Sequence, residues 1–486
     1  MTQQQLEKYL WGAATQLRGT IDAGDYKQYI FPLLFFKRIC DVYDEEFEKA
    51  LEESDGDLEY ASFAEHHHFL VPEGAHWNDV RETTVNVGMA LQAAMREIEK
   101  ANPDTLYGIF GDASWTNKNR LSDETLTNLI EHYSQHKLSL SNIPDDKLGN
   151  AYEYLIKEFA DDSGHTAAEF YTNRTVVKLM TMVMDPQPGE SVYDPTCGSG
   201  GLLLNCALHL KEEGKEYRTL KLYGQEINLI TSAIARMNMF MHGIEEFSIV
   251  RGDTLARPAF LHNDELKTFN VILANPPYSI KAWDRKSFEI DPYGRNLWGV
   301  PPQSCADYAF QQHIQKSLDA NNGRSISLWP HGILFREFEG AIRTKMIEED
   351  LVECVIGLGP NLFYNSPMEA CLLITTTNKA ENRKGKVLII NAVKEVKQEK
   401  NIAFLEKKHI DKIYNNYKKF EDEDGFSKVI SNEEVMKNKG SLNIAQYVSN
   451  VDASKEQISI DKALSDWEEQ SEKLKQSMDE LFQILN

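Results

Sequence analysis

From about residue 140 onward, short apolar runs alternate with stretches of helical periodicity such as residues 148–159. The clearest runs are Ser191-Val192-Tyr193, Lys221-Leu222-Tyr223, Val271-Ile272-Leu273, Ser325-Ile326-Ser327-Leu328 and Leu372-Leu373-Ile374. Short continuous apolar runs are typical of strands buried on both faces, and parallel neighbours need a helical crossover between them. The alternation therefore predicts an α/β Rossmann-like domain, with a mostly parallel sheet and helices on both faces.

The chain before this region has a different pattern. Leu10, Ala13, Ala14 and Leu17 recur at helical spacing, and a second helix begins near Tyr26. No alternating strand pattern of similar strength occurs there, and 486 residues are too many for one ordinary domain. We therefore predict an all-helical N-terminal domain over residues 1–135, followed by the α/β domain over residues 136–430.

Residues 431–486 are predicted to form a helical C-terminal segment. Its apolar side chains follow spacings of four and three, and only Ser471 interrupts the series Ile460, Leu464, Trp467, Leu474, Met478, Leu481 and Leu485. Such heptads fit a helix that packs along a partner helix, and the series is short for a self-sufficient coiled coil. The alternative is a surface helix folded back on its own domain.

A glycine-rich loop follows the first predicted strand. Gly198, Gly200 and Gly201 lie between that strand and a helix that starts near Leu202. Glycines at such a turn allow positive φ and let a ligand approach the backbone, and ligands of open parallel sheets bind at the carboxyl ends of the strands. The loop lacks the third glycine of a dinucleotide fingerprint and the Lys-Ser/Thr pair of a P-loop. Taken alone, it also fits a tight structural turn.

Two acidic residues lie close to this loop in the predicted sheet. Asp194 comes just before the glycines, and Glu226 stands at the tip of the next apolar run. A carboxylate at that tip can accept hydrogen bonds from both ribose hydroxyls. The missing fingerprint glycine and Asp194 together favour S-adenosylmethionine over NAD as the cofactor.

The tetrapeptide Asn275-Pro276-Pro277-Tyr278 follows another predicted strand. Two successive prolines end sheet pairing and stiffen the loop, which suits a loop that holds reacting groups. An exocyclic adenine amine is a weak nucleophile, and two acceptors for its hydrogens, the Asn275 side-chain oxygen and the Pro276 carbonyl, would direct its lone pair at a methyl donor. Tyr278 offers a flat face for a base taken out of the duplex. These four residues are the predicted catalytic motif.

The net charge of −23 is unusual for a protein that acts on DNA, because phosphate contacts usually require a basic surplus. Either a small local basic surface contacts DNA, or a partner subunit supplies most of the affinity. The charge is also uneven, since residues 41–59 are strongly acidic and residues 379–419 carry a surplus of about seven positive charges.

Other features indicate a cytoplasmic protein without a metal site. The six cysteines, Cys40, Cys197, Cys206, Cys305, Cys354 and Cys371, are scattered and suit a reducing compartment. Adjacent side chains point in different directions, so the run His66-His67-His68 is expected to be structural or exposed in preference to metal-binding. The apolar runs are too short to span a bilayer, and the N-terminus lacks a secretory pattern.

At this point the chain resembles the modification (M) subunit of type I restriction-modification systems, a family of N6-adenine DNA methyltransferases. Besides the glycine loop and the Asn-Pro-Pro-Tyr motif, the resemblance rests on LWGAATQLRG (10–19), FFKR (35–38), LGNAYEYL (148–155), EFYTNR (169–174), WPHGILF (329–335) and LNIAQYV (442–448). It implies a methyltransferase domain over residues 136–430, with S-adenosylmethionine as the methyl donor.

The resemblance also implies the residues that bind the cofactor. They are Glu169, Phe170, Tyr171, Thr172, Asn173 and Arg174 at the methionine end, the loop residues Asp194, Gly198, Ser199, Gly200 and Gly201, Glu226 at the ribose, and Asp253 at the adenine. The family usually has proline where this chain has Asn173, which removes a rigid φ and adds an amide donor.

In this family a separate specificity subunit reads the sequence of double-stranded DNA, two M subunits flank it, and restriction subunits can join. The resemblance thus explains how an acidic chain can modify DNA, and it makes the C-terminal heptads a candidate contact with the specificity subunit. It also implies that the N-terminal helical domain closes over DNA. No membrane partner is expected.

Two other functions remain open at this stage. Asn-Pro-Pro-Tyr also occurs in enzymes that methylate glutamine side chains or guanine amines in RNA, although the helical N-terminus and residues 170–172 favour adenine in DNA. A non-enzymatic scaffold is the second alternative, and the intact Asn275 and Tyr278 argue against it.

Overall fold

The computed structural model describes residues 1–162, 172–362, 368–399 and 402–448, together with residues 464–465, 467–475 and 478 of the last segment. None of the helices in these parts of the chain combines the length and hydrophobicity that crossing a membrane requires.

The N-terminal part is helical, as predicted. Its helices are α1 Gln3–Thr15, α2 Lys27–Glu53, α3 Leu58–Ala61, α4 Trp77–Arg81, α5 Val87–Ala101, α6 Pro103–Leu106, α7 Asp123–Tyr133 and α8 Asp145–Asp162. The first half of α2 is buried on all sides, and Pro32 lies within that half. A helix that is apolar all round is enclosed by its neighbours, so α2 is the centre of this helical core.

A buried polar network secures the middle of α2. The Arg38 guanidinium donates to the carbonyl oxygens of Leu138 and Ile143 and to the Asp145 carboxylate, at 2.8 Å in the last case. Lys37 pairs with Asp41, and the Asp41 carboxylate also accepts the Leu138 amide at 2.6 Å. The central helix is thereby tied to the segment that leads into α8.

The following elements form the α/β part. The helices are α9 Arg174–Met184, α10 Gly201–Glu212, α11 Leu229–Met241, α12 Arg285–Glu289, α13 Asp307–Lys316, α14 Gly340–Glu348, α15 Lys407–Lys419, α16 Asn432–Lys437 and α17 Ile444–Tyr447. The strands are β1 Ser191–Asp194, β2 Lys221–Glu226, β3 Phe247–Arg251, β4 Leu261–His262, β5 Glu265–Leu266, β6 Val271–Ala274, β7 Arg324–Pro330, β8 Val352–Leu358, β9 Ala370–Thr376, β10 Lys386–Ala392, β11 Lys397–Glu399, β12 Ile402–Phe404 and β13 Ser427–Ser431.

The central sheet has the strand order β13-β10-β8-β9-β7-β6-β1-β2-β3. The neighbours from β7 to β3 are parallel, as are β8 and β10, whereas β9 and β13 run antiparallel to the strands beside them. This arrangement confirms the predicted mostly parallel sheet. The five predicted strands are present, and the sequence analysis did not identify the other four strands of this sheet, β3, β8, β10 and β13.

Hydrophobic cores cover both faces of the sheet. Val271 and Leu273 of β6 point into a core with α9, α10 and α15, while Ile272 and Ala274 point into one with α13 and α14. Alternate residues of a strand point to opposite faces, so a strand covered in this way is apolar along most of its length. The predicted α/β fold with helices on both faces is confirmed.

Packing crosses both predicted domain boundaries, which remain predictions. Leu148, Tyr152 and Phe159 of α8 and Ile234 of α11 belong to the core of the helical N-terminal part. At the other end, Val435, Leu442, Ile444 and Val448 pack into the core on the α13 face of the sheet. The helical and α/β parts therefore share α8 and α11.

Near the end of the C-terminal segment, residues 464–465, 467–475 and 478 are helical. Its heptad side chains there are exposed, namely Leu464, Trp467, Leu474 and Met478. Ile460, Leu481 and Leu485 of the same series lie outside the described residues.

The three consecutive histidines contact aromatic and acidic side chains of the helical part. His66 lies 4.4 Å from the Tyr60 ring, and His67 stacks on Tyr43 at 4.1 Å. His67, at 3.6 Å, and His68 both pair with the Glu46 carboxylate.

Replacing Arg38 with alanine tests the buried network of α2. Arg38→Ala leaves two buried carbonyls and Asp145 without their donor, so we expect the helical part to lose roughly 3–5 kcal/mol of unfolding free energy. Urea unfolding followed by circular dichroism measures this. Lys49→Ala is the matched control, because Lys49 lies on the same helix with an exposed side chain and a long 3.9 Å contact to Glu53. Equal stability of the two variants would contradict the assigned role of Arg38.

Candidate active site

Four neighbouring parallel strands each place one predicted site residue at the same edge of the sheet. In the order β6, β1, β2, β3 these residues are Asn275, Asp194, Glu226 and Asp253, at or just beyond the carboxyl ends of their strands. Adjacent strands lie about 4.8 Å apart, so the row spans roughly 14 Å. The structure thus brings the predicted methyl-transfer residue and the predicted ribose and adenine contacts into one line.

A cavity of ≈ 450 Å³ opens at this edge. It is lined by Glu153, Thr172, Arg174, Val177, Asp194, Thr196, Cys197, Gly198, Ser199, Gly201, Leu202, Asn205 and Asn275. Six predicted cofactor residues and the first residue of the catalytic motif therefore share one space. Glu169, Phe170 and Tyr171 lie outside the described residues.

The glycine loop has the backbone that its sequence predicts. Gly198 and Gly200 have φ values of 52° and 79°, in the left-handed region where side chains are disfavoured. A Cβ atom on Gly200 would also lie 3.0 Å from the Met239 side chain of α11. Gly201 then begins α10, so the loop and the amino end of the helix together form one wall of the cavity.

Glu226 and Asp253 are held by backbone amides. The Glu226 carboxylate accepts the Gly198 amide at 3.0 Å and the Asn228 amide at 2.8 Å. One Asp253 oxygen accepts the amides of Leu255 and Ala256 at 2.9 and 3.0 Å. Each carboxylate keeps acceptor capacity for a ligand, because an ionised carboxylate has about four lone-pair directions.

Asp194 is fully buried between the glycine loop and Glu226. Burial, and secondarily the charge of Glu226, raise the pKa of the Asp194 carboxyl to about 8, against the opposing effect of the Thr196 amide that it accepts at 3.0 Å. Two carboxyl groups close together in a buried site favour a positively charged ligand, because a cation offsets the cost of ionising both.

Two hydrogen bonds orient the side chain of Asn275. Its Nδ2 donates to the Thr172 hydroxyl at 3.0 Å, and its Oδ1 accepts the Tyr278 hydroxyl at 2.9 Å. The amide is therefore turned with its nitrogen towards the EFYTNR segment and its oxygen towards Tyr278. Burial raises the pKa of the Tyr278 phenol well above its usual value, so this hydroxyl stays a donor at physiological pH.

Asn173 compensates for the proline that is usual at its position. Its φ of −53° is close to the value that a proline ring imposes. The side chain caps α9 by accepting the Thr175 amide at 3.0 Å, and it donates to the Ala403 carbonyl at 3.0 Å. The departure therefore preserves the local backbone and adds a helix cap.

Six residues that line the cavity were not predicted as site residues from the sequence, namely Glu153, Val177, Thr196, Cys197, Leu202 and Asn205. Glu153 of α8 is buried and pairs with Arg174 at 2.5 Å, which links the helical core to the cavity wall. Its sequence signal is an acidic residue within the apolar pattern of α8.

Comparison with known families agrees with this architecture. A family model described as N-6 DNA Methylase matches residues 144–456, and a model described as HsdM N-terminal domain matches residues 6–133. The two matches together cover most of the helical part, the cavity and the whole central sheet.

Individual relatives cover most of the chain. It is 30% identical over 482 residues to the type I restriction enzyme MjaVII methylase subunit of Methanocaldococcus jannaschii, covering 94% of this chain and 80% of that one. The MpnII methylase subunit of Mycoplasma pneumoniae is 29% identical, with 94% and 91% covered. The crystal structure of the type I restriction-modification system methyltransferase subunit from Streptococcus thermophilus superposes with a TM-score of 0.80 at 31% identity, over 92% of this chain and 100% of that one.

The raised pKa of Asp194 predicts that cofactor binding depends on pH. In the cofactor-free protein the Asp194 carboxyl, with a pKa of about 8, is protonated at neutral pH. A bound cation favours the carboxylate, so binding of S-adenosylmethionine should release a proton, and its affinity should rise with pH and level off above about 8. Titration calorimetry in buffers of different ionisation enthalpy measures both quantities.

Asp194→Asn is the control for this experiment. It removes the titrating carboxyl but leaves the cofactor's own amino group, so any pH dependence that persists belongs to the cofactor. An affinity in the wild-type protein that stays constant from about pH 6 to 8, or falls, would contradict the role of Asp194.

Proposed function

The chain belongs to the N-6 DNA methylase family as a type I restriction-modification methylase subunit, an adenine-specific DNA methyltransferase, and from this premise we propose how its own residues act. The proposed reaction transfers the methyl group of S-adenosylmethionine to the N6 amine of an adenine turned out of the DNA duplex. The observation that carries the proposal is the position of Asn275, which lines the same cavity as the glycine loop and Asp194.

In this proposal the polar row at the strand ends binds the cofactor. Glu226 accepts the ribose hydroxyls, Asp253 binds the adenine, and residues of the EFYTNR segment and the glycine loop hold the methionine part. Asp194 supplies negative charge near the positively charged part of the ligand. The cofactor, when bound, supplies an electrophilic methyl group on a sulfonium. The spacing supports this assignment, because Asn275 stands at one end of the row and Asp253 at the other.

Asn275 prepares the amine for attack. Thr172 fixes the amide nitrogen, so Oδ1 is the atom that can accept an N6 hydrogen. The incoming amine takes the place of the Tyr278 hydroxyl at Oδ1, and the Pro276 carbonyl accepts the second hydrogen. The lone pair of the amine is then directed away from both acceptors and towards the methyl group. As the nitrogen–carbon bond forms, the bond between the methyl group and sulfur breaks, which leaves a neutral thioether, and the methylated amine loses one proton to solvent. Positioning and hydrogen bonding suffice, since the reaction needs neither a covalent intermediate nor a strong base.

Tyr278 and Pro277 complete the base site. Tyr278 contributes to the core on the α13 face through part of its ring, which holds the aromatic plane in place. A base turned out of the stack binds most readily to a flat aromatic face, and the following hydrogen bonds then select its amine edge. Pro277 stiffens the chain between the two functional side chains.

Sequence recognition is assigned to a partner. We propose that a specificity subunit reads the DNA, that two copies of this chain flank it, and that a restriction subunit can join the complex. The net charge of −23 supports this division, because an acidic chain binds DNA poorly by itself. The exposed side chains of Leu464, Trp467, Leu474 and Met478 form the apolar stripe proposed to contact the specificity subunit.

The two alternative functions would require different features of the molecule. Methylation of glutamine side chains or RNA guanines would need neither the HsdM-type helical part nor DNA as substrate, and family membership favours DNA. A scaffold without activity would not require the Asn275 amide to be oriented by Thr172. Assays of methyl transfer to DNA, RNA and protein separate these functions.

Replacing Asn275 tests the catalytic proposal. Asn275→Ala removes an acceptor that acts on the amine and leaves the row that binds the cofactor, so methylation should fall at least about 10³-fold while cofactor affinity changes little. Radiolabelled methyl transfer to unmethylated DNA and calorimetric cofactor binding give the two readings. Asn378→Ala, at an exposed asparagine beyond β9, is the control. Retained activity in Asn275→Ala would refute the assigned role.

The partner proposal is tested at the C-terminus. Removing the chain from Ser459 onward should abolish co-purification with the specificity subunit and leave cofactor binding intact, because none of the described stripe residues is buried in the fold. The full-length double variant Trp467→Asp/Leu474→Asp should act similarly, and Glu468→Ala, on the same helix, should not. Unchanged co-purification after the deletion would contradict the proposed contact with the specificity subunit.

A further inference from the structure

A buried ion network lies directly behind the catalytic motif. Asp307 begins α13 and has no solvent exposure, and its second oxygen pairs with Arg336 at 2.6 Å. Arg336 also pairs with the fully buried Glu339 at 2.6 Å. A single guanidinium thus pairs with two buried carboxyl groups, and burial raises the pKa of the Glu339 carboxyl. The amino end of α13 adds favourable potential at Asp307.

The network ends on the residue that follows Tyr278. Ser279 has a φ of 52°, in the left-handed region that costs a residue with a Cβ atom about 1–2 kcal/mol. Its amide donates to the first oxygen of Asp307 at 2.6 Å, and the next carbonyl, that of Ile280, accepts the Ala306 amide at 3.2 Å. Two adjacent hydrogen bonds therefore hold a strained turn immediately after the catalytic motif.

Arg336 is itself held from several sides. Its amide donates to the Gly332 carbonyl at 2.9 Å, and its own carbonyl accepts from the buried Arg343 guanidinium at 3.2 Å. Arg343 also donates to the carbonyl oxygens of Ile333 and Gly440. Arg336, which pairs with Asp307, is thus held by the loop after β7. Through Arg343 it is also linked to the C-terminal end of the α/β part.

We propose that Asp307, held in place by Arg336, is a positioning residue for the base site: it keeps the strained turn at Ser279 closed and thereby fixes the Tyr278 ring and its hydroxyl relative to Asn275. This inference rests on the proposed methyl transfer. It adds Asp307 and Arg336, which lie outside the catalytic motif, to the residues on which the reaction depends. The Tyr278–Asn275 hydrogen bond of 2.9 Å is the geometry that this turn maintains.

The substitution Asp307→Asn separates the two contacts of the carboxylate. Arg336 and the Ser279 amide each need an acceptor, and an asparagine side chain offers one oxygen where the carboxylate offers two. One contact must therefore be lost with almost no change in size. We expect the single-turnover methylation rate, at saturating cofactor and DNA, to fall about 10- to 100-fold, with cofactor affinity within about twofold of the wild-type value.

A second substitution distinguishes positioning from general damage. Ser279→Gly removes the Cβ penalty, so the turn no longer depends on Asp307 to stay closed. In the Ser279→Gly background, Asp307→Asn should slow methylation by no more than about threefold, and this non-additivity is the specific signature of the proposed role. An equal loss in both backgrounds, or no loss in either, would overturn the proposal.

Two further variants complete the experiment, which uses the complex of this chain with its specificity subunit. Glu353→Gln removes a buried carboxylate from a comparable pair with Arg383 at 3.2 Å on β8, and it should leave the methylation rate within about twofold. If Asp307→Asn does not fold, Arg336→Lys replaces it, because it keeps Asp307 and loses the guanidinium that bridges Asp307 and Glu339. The same background dependence is then expected. A wild-type complex without adenine methylation would refute the proposed function itself, whereas an active complex with additive losses refutes only the positioning role.

Discussion

The parallel alignment of β6, β1, β2 and β3 is the constraint on which the candidate site depends. Parallel strands end at the same edge of a sheet, so residues that are far apart in sequence meet there without long-range side-chain contacts to hold them together. Asn275 and Asp253 are placed at the two ends of one row for this reason. The hydrophobic cores on both faces of the sheet keep the strands in register. The site residues at the strand ends are held rigidly for the same reason.

Charge is used differently at the surface and in the interior. Many cations of the basic segment 379–419 already form ion pairs, including Lys379 with Asp350, Arg383 with Glu353 and Lys412 with Glu395. Much of the positive charge of this segment is therefore offset within the protein and does not face DNA phosphates unpaired. In the interior, burial raises the pKa of the Asp194 carboxyl to about 8, and Arg336 pairs with the Asp307 and Glu339 carboxyl groups behind the predicted catalytic motif.

The sequence predicted three of the four strands that carry the site, β6, β1 and β2, and missed the fourth, β3. The runs before Asn275 and before the glycine loop are short, apolar and followed by loop-forming residues, which are strong local signals. β8 and β10 were also missed, and they contain Glu353 and Asn391, whose polar side chains interrupt the apolar pattern. The sequence also did not indicate the role of Glu153, because only the fold places α8 beside Arg174.

The sequence by itself determined the kind of chemistry and the order of the elements, because the Asn-Pro-Pro-Tyr motif, the glycine loop and the alternation of strands and helices are local patterns with local physical causes. Only the tertiary structure decided how the side chains are oriented and charged. The Asn275 amide is turned by Thr172, from a segment about a hundred residues away, and the Asp194 carboxyl has its raised pKa only because the folded sheet buries it beside Glu226. Hydrogen-bond direction and desolvation both depend on which groups surround an atom in space, and sequence spacing does not contain that information.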